Sequence, residues 1–199
     1  MADPLPDFAA LIGSRICHDL ISPLGAIGNG VELLEMSEAG TGPEVALISE
    51  SVANANARIR FFRIAYGAAG GGGTVAAGEI RSILAAITAG SRLKIDWHLA
   101  GDVPRPMAKL AFLALQCLET ALAWGGEITV DARDGDWRAK AKAARLSVDA
   151  ALWANLTAAT PDRAIAPAQV QFALLPVEAS AQGRNLGWSQ GSDGVTIRF

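Results

Sequence analysis

Cys17-His18-Asp19-Leu20-Ile21-Ser22-Pro23-Leu24 lies inside a helical pattern that extends beyond it on both sides. Apolar residues recur at Ile16, Leu20, Leu24, Ile27, Val31 and Leu34. Steps of three and four are the period of one helix face. His18 falls about 200° from Ile16 and from Leu20 at roughly 100° per residue, so it points away from that stripe. Ser14, Ser22, Gly25 and Asn29 share its face. A lone histidine on a helix reads as a plain surface residue. Small neighbours one and two turns away give a second reading, a ring kept clear for a partner. Pro23 removes one helical hydrogen bond at about 3 kcal/mol. The apolar stripe continues past it, so the helix is expected to run on with a local kink.

Outward from this stretch, the helix is expected from near Asp7 to near Glu38. Ala39-Gly40-Thr41-Gly42-Pro43 reads as a short turn, with glycines to stop one helix and a proline to begin the next. The second helix carries Val45, Ile48, Val52, Ala55, Ile59, Phe62 and Tyr66 at alternating steps of three and four. Such a period suits bundle or coiled-coil packing. A short connection makes the two helices antiparallel. Matching the stripes level by level pairs Leu34 with Ile48, Ile27 with Ala55, Leu20 with Phe62 and Ile16 with Tyr66. His18 then lies beside residue 64, within a turn of Arg60 and Arg63. One hairpin buries only a narrow seam. Two hairpins joined as a four-helix bundle bury the rest, so a homodimer is expected.

Gly67 and Gly70 to Gly73 mark a linker between a hairpin domain, 1–69, and a second domain, 75–199. The second domain reads as a helix at Glu79–Ala89, a strand at Lys94–Leu99 and a long helix at Pro104–Trp124. Strands at Glu127–Val130 and Trp137–Ala143 flank Asp134-Gly135, a hairpin-turn dipeptide. Ala and Lys make the second of these a weak strand. Helices near Asp149–Ala158 and Ala168–Ala181 follow, the latter open to a break at Pro176. Strands near Asn185–Trp188 and Gly194–Phe199 close the chain. This order suits a two-layer α/β sandwich, giving an α+β protein overall.

Bulk properties narrow the function. The chain has 199 residues and 51% hydrophobic content, with mean hydropathy +0.27, enough for a core. The most apolar run, Ala111–Trp124, is interrupted by Gln116 and Glu119, so no segment reads as membrane-spanning. The N-terminus shows no signal pattern, and a cytoplasmic location is expected. Cys17 and Cys117 lack metal-ligand spacing and read as small reduced hydrophobes. A net charge of −3 gives no support for nucleic-acid binding.

His18-Asp19-Leu20-Ile21-Ser22-Pro23-Leu24 resembles the phosphoaccepting box of bacterial sensor histidine kinases. Ile21 departs from it, standing where those kinases usually carry Arg or Lys. The run Ile12 to Leu34, with Gly25-Ala26-Ile27-Gly28-Asn29-Gly30 after the Pro-Leu pair, resembles the ChpT-type histidine phosphotransferases. The resemblance implies a dimeric helical hairpin and a C-terminal domain like a degenerate kinase ATPase domain. It also implies a phosphorelay role, in which phospho-His18 shuttles a phosphoryl group between receiver aspartates. The implied partners are the receiver domain of a hybrid histidine kinase and downstream response regulators. The family's kinases place Asn-x-x-x-Asn on the long helix. Here the aligned run is Gln116-Cys117-Leu118-Glu119-Thr120, with Thr120 at the second Asn, and both glycine boxes are absent. Without a phosphate cradle or metal ligand, phosphoryl transfer from ATP lacks its parts. No cofactor is expected, and Mg²⁺ is expected on the partner receiver. Gln116 and Glu119 read either as metal contacts or as a solvated helix face.

Two roles stay open for Asp19: orienting the His18 ring, as the resemblance implies, or pairing with Arg15 four residues earlier. Ser22 reads as clearance, or as the water-positioning residue of related kinases. Arg15, Arg58, Arg60 and Arg63 cluster toward the His18 end, whereas Glu32, Glu35, Glu38, Glu44 and Glu50 lie toward the turn. This is either ordinary surface charge or a basic collar suited to an acidic receiver pocket. The expected docking set is Ser14, Arg15, Ser22, Gly25, Arg60 and Arg63. His98, in a strand pattern without a partner base, reads as structural. An ATP-dependent kinase with an atypical nucleotide site, and a non-catalytic dimeric adaptor, are the competing readings.

Overall fold

Asp7 caps the first helix: its Oδ1 accepts from the backbone N–H of Ala10 at 3.1 Å, satisfying a donor that the first turn leaves free. In a computed structural model describing residues 6–36, 42–68, 72–158 and 165–199, α1 spans Phe8–Met36 and passes through Pro23 without a break. α2, Pro43–Ala65, starts on Pro43, with Glu44 in its first turn and Arg63 in its last. Pro suits that first position, and the charges oppose the helix dipole. The expected turn at residues 39–41 and the linker glycines Gly70 and Gly71 lie outside the described residues.

The hairpin forms, but its register is one turn away from the pairing read from the stripes. A Cβ added at Gly30 would sit 2.6 Å from Ile48 Cγ1, so Ile48 faces Gly30 and not Leu34. Asp19 is level with Arg58. The face of α1 turned to α2 is led by buried Pro23 and Gly30. The predicted stripe splits accordingly. Ile16, Leu20 and Ile27 are half-buried, whereas Leu24 and Val31 are exposed, as are Ile21, Val45, Val52 and Ile59. Close approach at a small residue sets the register, and hydrophobic period alone does not register that.

Beyond the hairpin, β1 (Thr74–Val75) pairs antiparallel with β3 (Val103–Pro104) around α3 (Ala77–Thr88) and β2 (Leu93–Trp97). α4 covers Arg105–Ala121, β4 Gly126–Arg133 and β5 Asp136–Lys142. Asp134 and Gly135 turn the β4–β5 hairpin with φ of 55° and 89°, the left-handed pair that a tight two-residue turn requires. α5 (Ala150–Ala154), capped by Asp149, precedes α6 (Gln171–Ala181), which continues through Pro176. β6 (Gly187–Gly191) and β7 (Gly194–Arg198) complete a five-stranded sheet in the order β2-β4-β5-β7-β6. Among the described strands, only β2 and β4 run parallel.

Across the sheet, Ile128, Ala141 and Val195 form one row and Val130, Ala139 and Ile197 the next. All are fully buried, and α4 packs over them. The alanines that weaken β5 as a strand are thus the residues over which the helix closes. Phe61, Phe62, Ile64 and Ala65 of α2 belong to this same core, and Phe8, Leu11, Ile12 and Ile16 of α1 pack against it. The hairpin base is therefore built into the core of the C-terminal part. Cys117 is buried there, but Cys17 is exposed, contrary to the expectation that both cysteines pack inside.

Candidate functional site

His18 leaves α1 just beyond its last core-packed residue, Ile16. Its side chain is 79% exposed, and its Nδ1 lies 3.0 Å from Asp19 Oδ1. A carboxylate only accepts hydrogen bonds, so this contact puts the hydrogen on Nδ1 and leaves the Nε2 lone pair free. Asp19 is only 10% exposed. Its other oxygen, Oδ2, accepts from Arg15 Nε at 2.8 Å and lies 3.8 Å from Arg58 Nη1. Asp19 thus contacts His18 through one oxygen and Arg15 through the other.

The face around the ring is open. Ser14, Ser22, Gly25 and Asn29 are exposed, and a Cβ added at Gly25 would meet no atom within 4 Å. On the α2 side, His18 and Ser22 edge a groove floored by Pro23, Ala26 and Ser51.

The arginines divide. Arg15 donates Nη1 to the backbone carbonyl of Ala168, in the 3₁₀ turn Pro167–Gln169. Arg58 Nε donates to Asn54 Oδ1 at 2.9 Å. Arg63 pairs with Glu79 of α3 at 2.8 Å, and Arg60 is half-buried. Arg15, Arg58 and Arg63 thus already have anionic or carbonyl partners within the chain. Sequence reading missed Asn54, Glu79 and Ala168 as those partners; no local pattern signals a contact with Ala168.

Behind Asp19, a small cavity between the hairpin base and α4 is lined by Arg15, Arg58, Phe61, Gln116 and Glu119. Gln116 is buried, and its Oε1 accepts from Tyr66 Oη at 2.7 Å. Burial pushes the Tyr66 phenol up to about 12, which keeps it a donor. Glu119 is exposed, and the neighbouring protein raises its carboxyl pKa against the pull of Arg15 and Arg58. Thr120 Oγ1 donates to the Cys117 carbonyl at 2.7 Å. His98 is exposed and continues the β2–β4 ladder through its backbone N–H to Val130.

Residues 77–194 match the family model described as Histidine phosphotransferase C-terminal domain. The chain is 39% identical over 133 residues to a curated protein of Brucella abortus (strain 2308), "Protein phosphotransferase ChpT". That match covers 65% of this chain and 63% of the relative, just under two thirds of its length. A solved structure titled "1.7 Angstrom Structure of a Bacterial Phosphotransferase" superposes with a TM-score of 0.79 at 30% identity, over 96% of this chain and 95% of that one.

Proposed function

We propose, from the premise that this chain belongs to the histidine phosphotransferase family, that it relays a phosphoryl group between receiver domains through His18. The observation that carries this reading is the exposed ring with Nδ1 held by Asp19, beside the small, uncovered residues Ser14, Ser22 and Gly25. Nε2 attacks the phosphorus of a receiver's aspartyl phosphate. The N–P bond forms as the P–O bond to the aspartate breaks, and the carboxylate leaves with the electron pair. Asp19 keeps its hydrogen bond to Nδ1 and stabilises the positive charge that develops on the ring. The same steps in reverse deliver the group to a second receiver. Such chemistry needs positioning and charge stabilisation more than covalent assistance. The receiver brings Mg²⁺ in its own acidic pocket. Ser14, Ser22 and Gly25 give it clearance, and Arg60 and Arg63 flank the approach.

This chain takes no phosphoryl group from ATP in this reading. Thr120, its hydroxyl already donated to a backbone carbonyl, stands where the kinase pattern needs an amide, and both glycine boxes are absent from the sequence. Calorimetry with Mg-ATP is expected to show no affinity tighter than about 100 μM, roughly −5.5 kcal/mol. The working form is a homodimer. Ile21, Leu24, Val31, Val45, Val52 and Ile59 are exposed along one hairpin and supply the seam that a second copy covers. Sedimentation at micromolar concentration should show a dimer that Leu24→Asp with Ile59→Asp dissociates. Among the described residues no helix is long and apolar enough to cross a membrane, and we place the relay in the cytoplasm, with its receivers.

The deciding experiment incubates the full chain with purified, phosphorylated receiver domains and follows acid-labile label. Label on the wild type and none on a folded His18→Ala variant is the expected result. Retained label on that variant would move the acceptor elsewhere.

A further inference from the structure

Neighbouring residues of a helix do not face each other, so the contact between His18 and Asp19 needs the carboxylate held in place. Arg15, one turn earlier, does this. Its side chain is 16% exposed, and its two hydrogen bonds run in different directions, to Asp19 Oδ2 and to the Ala168 carbonyl. A continuous chain of contacts therefore runs from a backbone carbonyl of the C-terminal domain, through one guanidinium and one carboxylate, to the imidazole. Arg58 approaches the same oxygen at 3.8 Å, but its own hydrogen bond goes to Asn54 within the hairpin. The planar fork of an arginine bridges two acceptors at a fixed angle, which a lysine ammonium does not reproduce.

We propose that Arg15 is a positioning residue for the phosphoacceptor: braced on the Ala168 carbonyl, it fixes the Asp19 carboxylate and so holds His18 with its hydrogen on Nδ1 and Nε2 bare. The C-terminal domain thereby contributes to transfer without a nucleotide site. Arg15 acts behind the ring, and the receiver meets the opposite side. The inference rests on His18 being the acceptor, but its first test does not require transfer at all.

The chain has two histidines, and His98→Gln leaves one ring to observe. Nitrogen NMR of the unphosphorylated full chain above the histidine titration reads the tautomer. The Nδ1–H form should dominate in the parent, and Arg15→Met should turn it into a mixture. With a saturating phosphorylated receiver, Arg15→Met should slow transfer about tenfold, the lower end for groups that orient a reacting residue. The half-saturating receiver concentration should stay within about twofold on the same reasoning. Arg15→Lys should recover part of the rate, and Arg58→Met should lower it far less than Arg15→Met. Should Arg15→Met fail to fold, Arg15→Lys carries the same test, since one ammonium nitrogen cannot reproduce the spaced fork that reaches both acceptors. An unchanged tautomer overturns the proposal. So does a loss confined to half-saturation, which would make Arg15 a docking residue. A parent chain that accepts no label sinks the relay reading instead, while the ring spectra still decide the role of Arg15.

Discussion

Every residue of α4 from Met107 to Leu118 is buried, whereas among the described residues of α1 only Pro23 and Gly30 are. Both helices are rich in apolar side chains. α4 is wrapped by the sheet, α2 and α6, so its apolar surface is covered within one chain. α1 is covered on one side near its start, by the core, and then carries Ile21, Leu24 and Val31 into solvent. A helix apolar all round belongs in an interior, and one with a second uncovered stripe belongs at an interface. α4 sets the fold, and α1 holds out the exposed face.

That contrast breaks most severely at Phe112, fully buried on α4 and 4.7 Å from the Phe61 ring. Phe112→Ala should lower stability by about 3–5 kcal/mol in urea unfolding. A loss under 1 kcal/mol would mean α4 does not anchor the core. On α1 the large effect should fall on transfer instead. Gly25→Arg and Ser22→Trp should leave the protein folded and slow the proposed phosphotransfer by about 100-fold, the penalty of misplacing reacting atoms by about 1 Å. Ser49→Arg, exposed on α2 toward the connection, is the control that should transfer normally.

Two glycines sharpen the comparison within α1 itself. Gly30→Ala drives a methyl into Ile48 and should destabilise by about 1–3 kcal/mol, as overpacking does. Gly25→Ala faces open space and should stabilise by up to about 1 kcal/mol through helix propensity, with transfer intact. Thermal melts of both variants give the two signs. Equal signs would mean that the faces of α1 are not distinguished by packing.

Much of this was legible in residue order. The period of α1, the Asp134-Gly135 turn, the long helix before it and the clear face of His18 all carry local signals. β1 and β3 do not, because two residues have no period. The parallel pairing of β2 with β4 was hidden as well, since strand direction depends on the route taken by α4. Pro176 looked like a breaker, yet α6 absorbs it. The hairpin register slipped because Gly30 contributes closeness where a hydrophobic count registers nothing. At the candidate site, the exposure of His18 could be read from the helical period, and its contact with Asp19 from their adjacency in the motif. The reach of Arg15 to Ala168 joins residues 153 positions apart, a separation at which chain order carries no contact information.

The shared core beneath the hairpin has a consequence for the time scale on which its backbone opens. Amides of α2 near Phe61, Phe62, Ile64 and Ala65 are locked with α4 and should exchange hydrogen only when the whole molecule unfolds. Those around Val31 and Val45, with exposed side chains and a helix end nearby, should exchange through local fraying. His18 stands where one regime passes into the other. The His18 ring is thus mounted on the last firmly clamped turn of a lever whose far end is free to breathe.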